Sequence, residues 1–160
     1  MPGPVQISLA RKADAVPMAQ MSRDLIETGL GWKWRHDRIL RAMRDPETAV
    51  IKADTDGRLV GFAIMRFGME ESHLDLLAVL PGYHRLGIAS LLLGWLEASA
   101  RTAGVSVIRL ELRETNLGAL RFYQRCGYTR VRTLSGYYAG REAAVQMARD
   151  LWLDESVGLA

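Results

Sequence analysis

The sequence predicts an α/β fold, one mixed sheet of about six to seven strands flanked by helices on both faces. Two observations carry that prediction. The hydrophobic period switches repeatedly between helical and alternating along the 160 residues, and the resulting order is β-α-α-β-β-β-α-β-α-β-β. A third is the nearly unbroken apolar run from His73 to Leu80, which suits a central strand covered on both faces. No repeat, linker or low-complexity stretch interrupts the pattern, so residues 1–160 read as one domain.

Taken in order, Ile7 to Ala10 is a short strand and Val16 to Glu27 a helix, broken by Gly29 and Gly31. Trp32 and Trp34 follow in the loop. A second helix runs from Asp37 to Met43 and stops at Asp45-Pro46, because a residue before proline avoids helical dihedrals. Ala49–Ala53 and Leu59–Phe67 form a hairpin about the turn Asp54-Thr55-Asp56-Gly57. Pro81-Gly82 ends the central strand. From Gly87 to about Ala103, Ile88, Leu91, Leu92, Trp95 and Ser99 follow helical spacing, with Gly104 as the C-terminal stop. In Val105–Arg113, Ile108, Leu110 and Leu112 alternate with Arg109, Glu111 and Arg113. Asn116 caps a helix ending near Cys126, and the strands Tyr128–Leu134 and Ala143–Leu151 complete the sheet.

Composition excludes some classes of function. No stretch approaches the roughly 18 to 20 apolar residues of a membrane span, and Met1 to Gln6 lack a basic segment leading into an apolar run, so neither a membrane anchor nor a secretory leader is expected. The net charge of +3 comes from scattered basic residues, without the stripe that nucleic-acid binding uses. Cys126, the single cysteine, rules out an internal disulfide and suits a reducing, cytoplasmic setting. No cluster has metal-ligand spacing, so no metal is expected.

The turn after the central strand reads Tyr83-His84-Arg85-Leu86-Gly87-Ile88-Ala89. A helix N-terminus leaves about four backbone N–H groups unpaired and carries partial positive charge. Gly87 lets a phosphate approach, Ala89 keeps that approach uncrowded, and Arg85 adds a charge. By itself this is either an anion cradle or ordinary glycine punctuation. Downstream stands Asn116-x-x-Ala119-x-x-Phe122-Tyr123-x-x-x-Gly127-Tyr128.

Together, Ala78-Val79-Leu80-Pro81, His84-x-x-Gly87-x-Ala89 and the asparagine-to-tyrosine helix resemble the acetyl-CoA signature of the GNAT N-acetyltransferase superfamily, over roughly residues 58 to 150. In that family the first segment reads Arg/Gln-x-x-Gly-x-Gly/Ala; here His84 stands at its first position. The resemblance implies an acetyl-CoA-dependent N-acetyltransferase of GNAT fold, with acetyl-CoA as co-substrate. It implies pyrophosphate contacts from Arg85, Leu86, Gly87, Ile88, Ala89 and Ser90. Leu77, Ala78 and Val79 are the candidates for main-chain contacts to the pantetheine and for the oxyanion donor.

Acetyl transfer from a thioester needs an unprotonated amine, charge stabilisation at the carbonyl oxygen and a proton for the departing thiolate. The resemblance makes Tyr123 the general acid and a cofactor contact; a core aromatic beside Phe122 is the other reading of that residue. Asn116 is both a helix cap and a candidate CoA contact. Glu111 is the candidate base, or else a structural ion pair with Arg109 or Arg113. As a carboxylate of ordinary pKa about 4.3, Glu111 is a weak base unless its surroundings raise that value, and relay through water to an α-amine of pKa about 8 lightens the task. His73 shares a strand face with Asp75 and reads as a cleft residue or a hydrogen-bonded structural histidine.

The segment Gly136-Tyr137-Tyr138-Ala139-Gly140 is similar to protein N-terminal acetyltransferases, in particular ribosomal-protein-alanine N-acetyltransferases, where a Tyr-Tyr pair in the last hairpin loop clamps the substrate backbone. It makes Tyr137 and Tyr138 substrate-binding candidates. Trp32 joins them, since Trp32 and Trp34 either line an acceptor pocket or pack the helical flap over the sheet. The acceptor is then an amine, leaning toward a protein N-terminus. A small-molecule amine, a lysine side chain and a non-catalytic acyl-CoA-binding regulator are the alternatives. A monomer and a homodimer are equally compatible with the sequence.

Overall fold

The computed structural model describes residues 3–138 and 140–153. Its seven strands are β1 (Gln6–Leu9), β2 (Thr48–Thr55), β3 (Arg58–Phe67), β4 (Glu71–Val79), β5 (Val107–Arg113), β6 (Thr129–Tyr138) and β7 (Glu142–Asp150). They lie in the order β1-β2-β3-β4-β5-β7-β6. Among the described residues only the central β4–β5 pair is parallel. That pairing needs a crossover, and α3 (Ile88–Thr102) supplies it.

Apolar side chains on the two sheet faces make two cores. On one face Leu92, Leu93, Leu96 and Ala100 of α3 pack with Val60, Ile108, Leu110 and Val145, and α4 (Leu117–Arg125) adds Tyr123. On the other, Met18 of α1 (Ala15–Met21) and Ile39 of α2 (His36–Arg44) cover Val50, Phe62, Ile64 and Leu76. The buried stripe of α3 is therefore Ile88-Leu92-Leu96, while Leu91 is 48% exposed, one position off the expected stripe.

Local differences from the sequence reading have physical causes. The hairpin turn is two residues long, Asp56 and Gly57, both left-handed with φ of 52° and 74°. That is what an Asp-Gly pair matching strand twist requires. The first helix is α-helical only to Met21, and Ser22–Ile26 widens into a π turn. There Ser22 is buried and donates its hydroxyl to Glu27 at 2.8 Å. The strand after α4 runs to Tyr138, four residues beyond Leu134, so Tyr137 and Tyr138 end a strand instead of sitting in a hairpin loop. Ala139 lies outside the described residues.

The central strand departs most from expectation. It is not covered evenly on both faces: His73 and Asp75 form a polar row at its start. Ile64 faces Leu76 and Met65 faces Leu74, so Asp75 is an extra residue, a β-bulge. The bulge puts Asp75 and Leu76 toward the same side and switches the phase of everything that follows.

Leu92 is fully buried against the sheet. Leu92→Ala is expected to cost about 2–5 kcal/mol of stability by cavity formation, read as a lower denaturation midpoint at constant slope in urea. An unchanged midpoint would show that α3 does not pack as described.

Candidate active site

The site begins where the sheet opens. β4 and β5 pair only from Glu71/Val107 to His73/Arg109, and the strands separate beyond. Leu80 N–H donates to Val60 on β3 at 2.8 Å. Backbone groups of alternate residues point to opposite edges. Ala78 therefore faces β3, opposite Phe62, whereas Leu77 and Val79 direct theirs into the opening. Of the three sequence candidates, Leu77 and Val79 have the orientation of an oxyanion or pantetheine donor. Ala78 instead lines the adjoining cavity by its position.

That cavity, of about 690 Å³, runs from Leu77 past the turn after β4 to α4. Its floor is the start of α3. Gly87 caps the helix at φ 76° and Arg85 is also left-handed at φ 69°, which curls the preceding loop tightly. The first bond of the helix is Leu91 N–H to Gly87 C=O at 3.0 Å. The N–H groups of Ile88, Ala89 and Ser90 precede it and have no intrahelical acceptor. Arg85, Arg121 and Arg125 line the same cavity. A concave wall of backbone donors and guanidinium groups fits the phosphates of acetyl-CoA. His84 folds back so that Nε2–H donates to the Val79 carbonyl at 2.9 Å, tying the anion loop to the end of β4. Arg121, Phe122 and Arg125 were not anticipated; their spacing on α4 with Gly118 marks one helix face and was the legible signal.

A second cavity of about 620 Å³ opens on the other side of the sheet. Leu77, Asn116, Ala119 and Tyr123 line both cavities, so the two meet at Tyr123. Tyr123 is buried, packed edge-on against Phe122 and Tyr128 with ring centres 5.1 and 5.5 Å away. Burial, with smaller contributions from Cys126 and Tyr138, pushes its phenol far above the ordinary range, so it keeps its proton throughout the physiological range. Tyr128 is held in turn by Glu97, which accepts from the Tyr128 hydroxyl at 3.0 Å and from Arg149 at 2.7 Å. Asn116 caps α4, accepting from Ala119 N–H at 3.1 Å.

The wall of the second cavity is a charge network. His73 sits between Asp75 (Nδ1–Oδ1 2.6 Å) and Glu111 (Nε2 to both oxygens, 3.0 Å). Arg66 reaches Asp75 at 2.7 and 2.9 Å. Tyr137 donates its hydroxyl to Glu111 at 3.1 Å. Hydrogen bonds to Asp75 and then Glu111 raise His73 to about 9, so it is an imidazolium at neutral pH. Burial alone would raise Asp75, yet the bonds from His73 and Arg66 outweigh it and hold it below the usual range. Glu111 is lowered as well, by the His73 hydrogen bond first, against the pull of burial. The surroundings therefore do not raise Glu111 into the range of a stronger base. Neither expected ion pair of Glu111 forms: Arg109 holds Glu71 at 2.8 Å, and Arg113 takes Glu142 and the Ile26 and Thr28 carbonyls.

On the rim, the structure separates the two tryptophans. Trp34 lines the cavity, and Trp32 does not. The Trp32 indole N–H is spent on the Ala19 and Trp34 carbonyls, both at 3.1 Å, and the ring packs against the α1–α2 core. Tyr137 and Tyr138 do line the cavity, edge to face at 4.9 Å. Glu27, Arg38 and Arg66 also line it and were missed. Arg66 is placed by the register of β3 on β4, which sequence alone does not disclose.

The match to the family model of acetyltransferases (GNAT) covers residues 18–128. The chain belongs to this family. It is an acetyl-CoA-dependent N-acetyltransferase. The [ribosomal protein bS18]-alanine N-acetyltransferase of Haemophilus influenzae is 36% identical over 102 residues, 61% of this chain and 69% of the relative. The N-alpha-acetyltransferase of Sulfurisphaera tokodaii is 30% identical over 122 residues, 68% of this chain and 73% of that one. In fold, the chain is similar to the ribosomal-protein-S18-alanine N-acetyltransferase from Escherichia coli, with a TM-score of 0.79 at 24% identity over 92% of this chain and 94% of the other. Among the described residues, no helix is long and apolar enough to cross a membrane. No group of three or more His, Cys, Asp or Glu among them is arranged to hold a metal ion.

Two measurements check the geometry. In an NMR titration His73 is expected to titrate at about 9, with Glu111→Gln and Asp75→Asn each moving it toward the ordinary value. Because the folded value lies above the unfolded one, the pairing stabilises the fold fully below about pH 6.5. That contribution is lost as pH rises through about 9. An ordinary value in the unaltered protein would dissolve the network. For the cradle, Gly87→Glu is expected to weaken CoA binding in calorimetry by more than 10-fold relative to Gly87→Ala, which shares the backbone strain but adds no charge. Equal affinities of the two variants would place the phosphates elsewhere.

Proposed function

We propose that this acetyltransferase transfers the acetyl group directly to the α-amine of a protein N-terminus, and that it does so in the cytoplasm. The observation that carries the reading is the meeting of the two cavities at Tyr123, one with an anion cradle and the other of about 620 Å³ lined by Tyr137 and Tyr138. The relatives from H. influenzae and S. tokodaii, a [ribosomal protein bS18]-alanine N-acetyltransferase and an N-alpha-acetyltransferase by name, support the choice of acceptor. The Tyr137–Tyr138 pair supports it further, since two edge-to-face rings offer a peptide backbone contact area at low entropic cost.

Acetyl-CoA, when bound, supplies an acetyl group activated as a thioester. The N–H groups at Ile88, Ala89 and Ser90, with Arg85, Arg121 and Arg125, hold its phosphates in this reading. Leu77 and Val79 present main-chain donors inside the sheet opening, where developing negative charge on a carbonyl oxygen is stabilised without reorganisation. Tyr123, kept protonated by burial, is the acid that protonates the departing thiolate. Glu111, an anion at neutral pH, draws the amine to the inner end of the cavity and accepts a hydrogen bond from it directly or through water. Its lowered pKa leaves deprotonation governed chiefly by the α-amine itself, whose pKa is about 8. His73 holds the Glu111 carboxylate in place and is a positioning residue.

The test is release of free CoA thiol from acetyl-CoA with three classes of acceptor: peptides with free N-termini, N-blocked peptides containing lysine, and small amines. Transfer to free N-termini, confirmed by mass spectrometry, is expected. Transfer only to lysine or only to small amines would overturn the acceptor assignment. Thermal stabilisation by acetyl-CoA without any release would point to a binding regulator. Tyr123→Phe is expected to lower kcat by on the order of 10²-fold with CoA affinity nearly intact; full turnover in that variant would remove Tyr123 from the chemistry.

A further inference from the structure

The cations lining the acceptor cavity divide into a paired and an unpaired set. The paired ones are Arg66 with Asp75, Arg113 with Glu142 and two carbonyls, and His73 with Asp75 and Glu111. The others are Lys33 and Arg38, which also line the cavity. Among the described residues neither is in an ion pair, in contrast to their neighbour Arg41, which pairs with Asp37 at 3.7 Å. Glu27 lines the same cavity. It is committed to the Ser22 hydroxyl and to the backbone N–H groups of Lys33 and Trp34, at 2.8 to 3.3 Å.

Those bonds preorganise Arg38. Glu27 fixes the backbone of Trp34, and the Arg38 guanidinium lies 3.9 Å from the centre of the Trp34 ring. Stacking restrains the plane of the guanidinium and leaves its N–H edge available. Arg38 is only half-buried, so its charge is neither quenched by a partner nor dispersed by full solvation. A rigid fork of donors at the mouth of a cavity fits a carboxylate better than it fits any other common side chain.

We propose that the preferred acceptor carries an aspartate or glutamate within the first few residues after its reactive amine, and that Arg38, seconded by Lys33, selects it. The proposal rests on the N-terminal reading above. It goes beyond that reading by naming the chemical class of the acceptor. A basic residue at the same place meets like charge from both rim cations, so discrimination comes from repulsion as much as from attraction.

The test compares kcat/KM for three peptides that share an N-terminal alanine and differ only in a second and third residue that are acidic, neutral-amide or basic. The acidic peptide is expected to exceed the basic one by on the order of 10-fold, as one charge-assisted contact implies, with the gap narrowing at high salt. Arg38→Glu and Lys33→Glu are each expected to shrink or reverse the ratio. Using Lys33→Glu alongside keeps the test decisive if the Arg38 variant folds poorly. Acetylation of all three N-termini at equal rates would overturn the proposal and leave the N-terminal reading standing. A preference for the acidic peptide that survives both substitutions would overturn the role of Arg38 and Lys33. Failure to acetylate any N-terminus would overturn both readings.

Discussion

The site depends on one constraint: a parallel pair of strands at the centre of the sheet that stops pairing after three residues. Backbone groups buried without partners are costly, so a sheet does not open at its centre unless something else takes up its donors and acceptors. Here the extra residue in β4, Asp75, bends the strand away from β5. The consequence is a cleft whose edge carries main-chain donors at Leu77 and Val79. The protein keeps part of the exposed edge for itself, since His84 satisfies the Val79 carbonyl at 2.9 Å. The remaining groups suit the polar arm of an acyl carrier.

The bulged residue also anchors the electrostatics of the acceptor side. Asp75 binds Arg66 on β3 and His73 on its own strand, and His73 crosses to Glu111 on β5. The chain of contacts bridges the two strands just where their backbone ladder ends. Side-chain charge thus continues the connection that the main chain gives up. Removing a single member would leave a partly buried carboxylate or imidazolium with one partner fewer, which costs more than the pair itself is worth. That argues for the network as a fixed scaffold, with Glu111 exposing its remaining acceptor capacity to the cavity.

Legibility followed the source of each contact. The element order was readable because it rests on local chemistry, such as Gly87 at a left-handed cap and Asn116 as a side-chain cap, while the cofactor-side candidates came through the family resemblance. Each cap depends on residues a few positions apart. The acceptor side depends on register and on the bulge. Arg66 meets His73 and Asp75 only through the pairing of β3 with β4, and a one-residue slip would send it to the opposite face. The apolar run His73–Leu80 hid its own bulge, since the phase change at Asp75 leaves no mark in composition. Trp32 and Trp34 could not be told apart by sequence, because their fates are set by which backbone carbonyl an indole N–H can reach.

The same division bears on the two halves of the proposed site. A diphosphate is gripped by amides that any sequence possesses once the backbone takes the right path, so a few small residues suffice to specify the grip. Histidine at position 84 is tolerable on this view because the main chain supplies the donors and the side chain serves the strand end. An acceptor has no such generic handle beyond its amine. Its recognition must come from side chains, and those of the flap are held from below by Glu27, whose two oxygens fix the loop that carries Lys33 and Trp34. A buried carboxylate that organises a loop of cations and aromatics allows the rim to change its preference without disturbing the chemistry beneath it. The rim and Tyr123 share a cavity but not their supporting bonds: Glu27 secures the former, and Tyr128, clamped by Glu97, packs against the latter.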